Sequence, residues 1–321
     1  MARALNDDFF EWLKKDPLNI LETISQYDCL AIHFSDGKAL KVYFKGFLIL
    51  TVTHSAVKRN DANYKTLSKS YYEHKPNNAR LLDIIKTGVN HNNLQEYLDC
   101  VIGFLSRRNN TRYEEAVRQE IGRVNNRSRE ANDTDFFIVD EEYKVGEPKF
   151  DLVAVKWLSD ENVRKHFSSG TKGLEIVVFE LKQGLKAVGG SRKATTEQAD
   201  LKKHISDFNA FIANPILLEY KRDIIKMFVQ QAALKGFFNK KVIKGLKHVE
   251  ALSPKEIEKI AENIPVKFGL IISDYKQESK RLKEQFELME GDFIFATASF
   301  MGYGLYEKSM LTKEQIKNIL I

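Results

Sequence analysis

The sequence predicts an α/β fold, a mixed sheet flanked by helices and preceded by a smaller N-terminal α+β unit that holds a β-meander. Three observations lead there. Two strongly apolar runs, Phe150-Asp151-Leu152-Val153-Ala154-Val155 and Ile176-Val177-Val178-Phe179-Glu180-Leu181-Lys182, have the length and β-branched content of buried strands. Helical patterns precede and follow them. The first hundred residues instead carry short β-rich runs separated by turn residues.

The 321 residues are 43% hydrophobic and 29% charged, enough for one large or two modest domains with a real core. We place the boundary between 1–108 and 109–321. Phe9 to Leu13 and Leu18 to Ile24 read as short helices. Cys29 to Phe34, Ala39 to Phe44 and Phe47 to Thr53 are β-rich, with turns at Ser35-Asp36-Gly37-Lys38 and Lys45-Gly46, so they form a three-stranded meander. His54 to Leu81 is polar, basic and tyrosine-rich, either a solvated loop or a surface that tracks a phosphate backbone. Residues 80 to 106 read as amphipathic helix.

The second unit opens near Thr111 with a helix through Gly122, then a strand at Asp135 to Val139 and an acidic turn at Asp140 to Glu142. The two apolar strands follow, separated by a polar insertion, Ser159 to Lys172. After Lys182 come a glycine-rich basic loop, Gly184 to Lys193, and a long helix from Thr195 to Ala213. Another helix follows Ile216. Ser253-Pro254-Lys255-Glu256 has the polar start and early proline of a helix N-terminus. Val266 to Ser273 and Phe293 to Ser299 are further strands, with a charged helix, Lys276 to Met289, between them.

The formal net charge is +6 and the pI about 9.0, a balance that suits a polyanion partner. Cys29 and Cys100 sit in apolar surroundings and read as small buried residues, not as a disulfide framework or zinc site. With no signal-peptide core and no membrane-length apolar run, the expected setting is cytoplasmic, without a membrane partner. Zinc-ligand spacing, the P-loop, the dinucleotide fingerprint and the Gly-x-Ser-x-Gly elbow are all missing.

The chemistry is expected where charge interrupts the apolar runs. Burying a carboxylate is costly unless it is paired or binds a metal. Asp151 opens the first run; Glu180 and Lys182 close the second on one strand face. Phosphodiester hydrolysis needs a Mg²⁺-class ion to polarise the phosphate and acidify a water, and such an ion takes one or two carboxylates. Asp151, Glu180 and the Leu181 carbonyl can supply oxygen ligands. Lys182 can orient the nucleophile or stabilise the phosphorane. The alternative is a strand-end salt bridge.

Two flanking helices add candidates. Glu120 falls on a stripe with Tyr113, Ala116, Val117, Ile121 and Val124, either paired with an arginine or as the outlying acid of the site. Gln198 shares a stripe with Leu201, Ile205, Phe208 and Ile212, either as a capping amide or holding a phosphate, water or carboxylate. Arg192, Lys193 and Lys202 are placed to contact nucleic-acid phosphates.

Taken together, Glu120, Asp151, Glu180-Leu181-Lys182 and Gln198 resemble the PD-(D/E)XK nuclease superfamily, well over residues 111 to 213 and loosely over the later strands. The resemblance implies a restriction endonuclease-like fold and a Mg²⁺- or Mn²⁺-dependent nuclease acting on nucleic acid, DNA in the first instance. A homodimer is open to it. Asp151 and Glu180 would bind metal, Lys182 would be catalytic, and Glu120 would support the metal or its water. Phe150 replaces the proline that often precedes the aspartate, and the long gap between Asp151 and Glu180 implies an inserted loop. The alternatives are a non-catalytic nucleic-acid-binding module of the same fold and a protein-interaction scaffold.

Overall fold

The computed structural model describes residues 2–59, 63–72, 78–108, 113–144, 149–165, 173–184, 201–273, 283, 286, 291–298 and 302–319. The chain is mixed α/β, with a four-stranded antiparallel sheet and a six-stranded mixed sheet flanked by helices.

Helix α1 (Asp7–Lys15) starts where Asn6 accepts the Phe9 N–H at 2.9 Å, with Asp7 and Asp8 in its first turn and Lys14 and Lys15 in its last. Both ends therefore complement the helix dipole. After α2 (Ile20–Ser25), strands β1 (Ala31–Ser35), β2 (Ala39–Phe44) and β3 (Phe47–Thr53) form the expected meander. Lys45 and Gly46 have φ of 47° and 82°, the positive pair that a two-residue hairpin turn requires. The sheet gains a fourth, two-residue strand, β4 (Lys65–Thr66), after the short α3 (His54–Lys58). The single helix expected over 80 to 106 is two, α4 (Ala79–Thr87) and α5 (Leu94–Ser106), broken at Gly88, whose φ of 96° no helix accommodates.

The larger sheet comprises β5 (Phe136–Lys144), β6 (Lys149–Trp157), β7 (Leu174–Gln183), β8 (Val266–Ser273), β9 (Ile294–Ala298) and β10 (Leu311–Thr312), in the spatial order β10-β9-β8-β7-β6-β5. β5, β6 and β7 run antiparallel, and β7, β8 and β9 run parallel. The acidic turn expected at Asp140 to Glu142 is instead part of β5. A register shift between Ile138 and Asp140 lets the strand continue past the acids.

Helix α6 (Tyr113–Arg127) covers one face of the sheet through Ile121, which packs with Ile138, Leu152, Val177 and Phe179. The helices after β6 are α7 (Glu161–Lys165), α8 (Leu201–Ile212), α9 (Leu217–Ala233), α10 (Leu246–Glu250), α11 (Pro254–Asn263) and the terminal α12 (Lys313–Ile319). Phe211 and Phe228, from α8 and α9, join Phe137, Phe150 and Trp157 in the main core. α11 has the full capping box, with Ser253 and Glu256 exchanging hydrogen bonds and Pro254 in the first turn. Of the charged helix expected over 276 to 289, only Lys283 and Phe286 are described, both helical.

The boundary at residue 108 separates two sheets but not two cores, because the buried residues of the meander belong to the same cluster as Phe137, Val153 and Val178. The N-terminal segment ahead of α1 is tied to α9, where Asp223 accepts the Arg3 and Ala4 N–H groups at 2.9 and 3.0 Å. Cys29 is exposed and Cys100 partly exposed, which corrects their expected burial. Among the described residues no helix is long and apolar enough to cross a membrane.

Candidate functional site

The site lies where β6 and β7 part. Their last register pair is Leu152 with Phe179, and Asp151 and Glu180 are the next residues outward on each strand. There the Asp151 side chain takes over from the ladder: the Leu181 N–H donates to its Oδ2 at 2.9 Å. Both acids are buried, Asp151 at 9% and Glu180 at 4% exposure. The extended backbone of β7 puts Lys182 on the same side as Glu180, and its ammonium contacts Glu180 Oε1.

Burial, reinforced by the charge of Asp151, pushes the Glu180 carboxyl up to about 8, against the opposing pull of Lys182. A carboxyl held up by a neighbouring carboxylate is one that a divalent cation would restore to its charged form. Among the described residues no group of three His, Cys, Asp or Glu side chains is disposed to hold a metal by itself. A Mg²⁺-class ion asks for less, one or two carboxylates with the remaining ligands from water and substrate. Leu181 is fully buried, and because its N–H is turned to Asp151, its carbonyl leaves the strand on the same edge. Asp151, Glu180 and the Leu181 carbonyl therefore fit a hard divalent ion chemically.

Helix α6 contributes a different acid from the one expected. Glu120 bonds Arg123 through both oxygens, at 2.9 and 2.6 Å, and its side chain is 36% exposed. Seven residues are nearly two full helical turns, so Glu120 shares its azimuth with Tyr113, which is 60% exposed. The stripe that meets the sheet is Glu114, Arg118, Ile121 and Asn125. Glu114 is half-buried and its pKa is raised by burial and by Asp151, while Lys182 pulls it down. The acid that α6 brings near the cluster is thus Glu114, not Glu120. The apolar periodicity hid this stripe because it is mostly polar, although its 4-3-4 spacing was legible.

Two further residues enter the site without any sequence signal of their own. Arg118, 4% exposed, donates from Nη1 to Asp151 Oδ1 at 2.9 Å and from Nη2 to Glu142 Oε1 at 3.0 Å. His204, on α8, places Nε2 3.1 Å from Glu180 Oε1. Gln198, Arg192 and Lys193 lie outside the described residues, and Lys202 belongs to α8 with its side chain likewise outside them.

No protein-family model, no curated protein and no solved structure matches the chain.

Proposed function

We propose that this protein is a Mg²⁺- or Mn²⁺-dependent nuclease that hydrolyses phosphodiester bonds in DNA, on a restriction endonuclease-like arrangement of the larger sheet. The observation that carries the reading is the pair of buried carboxylates, Asp151 and Glu180, at the parting ends of adjacent strands, with Lys182 on the second of them. When bound, a Mg²⁺-class ion polarises the scissile phosphate and acidifies an attacking water. Asp151, Glu180 and the Leu181 carbonyl would hold it. Lys182 orients the nucleophile and offsets charge growing on the phosphorane. Glu114 takes the outlying position that the sequence suggested for Glu120. The net charge of +6 favours a polyanionic substrate.

One observation favours a second reading, a non-catalytic nucleic-acid-binding module of the same fold. Asp151 already has a guanidinium partner in Arg118, as a carboxylate retained for structure would. An assay of the purified protein on linear, circular, single-stranded and branched nucleic acids, with and without Mg²⁺ or Mn²⁺, separates the two. Cleavage that needs metal and is lost in Asp151→Ala and Lys182→Ala supports the nuclease. Salt-sensitive binding without metal or cleavage supports the module, and neither activity leaves a protein-interaction scaffold.

A further inference from the structure

The Arg118 guanidinium is shared between two acids on different strands, Asp151 on β6 and Glu142 on β5. It is buried, and burial works against its charge; Asp151, Glu141 and Glu142 together outweigh that and raise its pKa. Its buried Nε has no hydrogen-bond partner among the described residues, so the group is held by its two terminal nitrogens alone. Such a group can lean toward either acid. Asp151 Oδ2 is committed to the Leu181 N–H and Oδ1 to Arg118, so an incoming cation competes for Oδ1 with a charge already in place. Glu142 is different in kind: its side chain is 49% exposed and also bonds Lys149, so it can readjust at little cost.

We propose that Arg118 is a resident counter-ion of Asp151, a positioning residue that a divalent cation displaces on binding and that β5 receives through Glu142. The inference rests on the metal-site reading above and deepens it. It also links the site to the N-terminal segment, because Arg3 donates to the Glu142 carbonyl at 3.0 Å and pairs with Asp140 at 2.9 Å.

The test is calorimetric titration of Mn²⁺ into the full-length, metal-free protein, with circular dichroism to verify folding. Arg118→Met removes the competing charge and is expected to tighten Mn²⁺ binding about tenfold, while Glu142→Gln removes the receiving acid and weakens it about threefold. The double variant should behave as Arg118→Met alone, since Glu142 acts through Arg118. Should Arg118→Met not fold, Glu142→Gln decides by itself, and unchanged or tighter binding there overturns the proposal. Wild-type binding with equal or weaker binding by a folded Arg118→Met also overturns it, but leaves the metal site standing. If neither wild type nor variants bind Mn²⁺, the metal-site reading and this inference fail together.

Discussion

His204 Nε2 lies 3.1 Å from Glu180 Oε1, the oxygen that the Lys182 ammonium also contacts. The two nitrogen groups therefore converge on one oxygen of the carboxylate. Partners that orient a ligating carboxylate are worth about 10- to 100-fold in metal affinity or activity. His204→Ala should lower the metal-dependent cleavage rate by at least about tenfold, with partial recovery in His204→Gln. Equal rates in all three proteins would show that the histidine does not orient Glu180.

Glu114 and Glu120 give a paired test of which acid α6 contributes. Glu114→Gln should weaken divalent-ion binding about tenfold, because it removes a carboxylate that senses both Asp151 and Lys182. Glu120→Gln breaks only a half-exposed pair with Arg123, worth at most about 1 kcal/mol, and should leave metal binding unchanged. Titration calorimetry on both variants checks the assignment; the reverse pattern would restore Glu120.

Much of this was legible in the sequence, and the misses have physical causes. All strands of both sheets except the two-residue β4 and β10 followed from apolar runs and turn residues, and Asp151, Glu180 and Lys182 from charges placed where burial is expensive. The α6 stripe Glu114-Arg118-Ile121-Asn125 escaped the apolar pattern because it buries Arg118, which bonds two strand acids, and Asn125; Asn126 beside it bonds the Ile138 main chain at 2.7 and 3.0 Å. Amides that replace apolar residues in this way erase the hydrophobic signal. Arg118 and His204 owe their roles to α6 and α8 meeting the same strand ends, which no local spacing encodes.

Metal binding should release protons near neutral pH. With its pKa at about 8, the Glu180 carboxyl is mostly protonated at pH 7, and a cation would drive that proton off. Affinity for Mg²⁺ or Mn²⁺ should therefore rise from pH 6 to pH 8. Calorimetry at pH 7 in buffers of differing ionisation enthalpy should report about one proton released per ion. A pH-independent affinity would contradict the raised pKa.

The metal-free protein should lose stability as pH rises toward 8. Burial raises Asp140 to about 7 despite Arg3, and Glu141 to about 8 despite Arg118; Glu180 is at about 8. These acids bind more protons folded than unfolded, so the stability they contribute is complete below their ordinary pKa values and is lost as pH climbs through the raised ones. His33 runs the other way. Burial, with Arg3 and Arg118, lowers it to about 3, so its contribution is present above 6.5 and lost as pH falls through 3. Of these groups the acids are the ones that act between pH 6.5 and 8, and the melting temperature should drop by on the order of 5 °C. Glu141→Gln should flatten that slope in scanning calorimetry, and an unchanged slope would count against it.

Gly269 carries the strand behind the site. It pairs with Phe179 across β8 and β7, and a Cβ there would stand 2.3 Å from the Phe179 ring. Phe179 is fully buried and immediately precedes Glu180. Gly269→Ala should cost about 1–3 kcal/mol in urea denaturation and also reduce cleavage, because the ring cannot move without shifting Glu180. Wild-type stability in this variant would mean that the ring has room the structure does not show.

Anomalous scattering from a crystal of the full chain soaked in Mn²⁺ would locate the ion directly. One peak is expected at the Asp151 and Glu180 carboxylates, about 2.0–2.1 Å from an oxygen of each as for a Mg²⁺-class ion, with Arg118 turned toward Glu142. A soaked crystal with no peak at these carboxylates, and Arg118 still on Asp151, would contradict the metal-site reading.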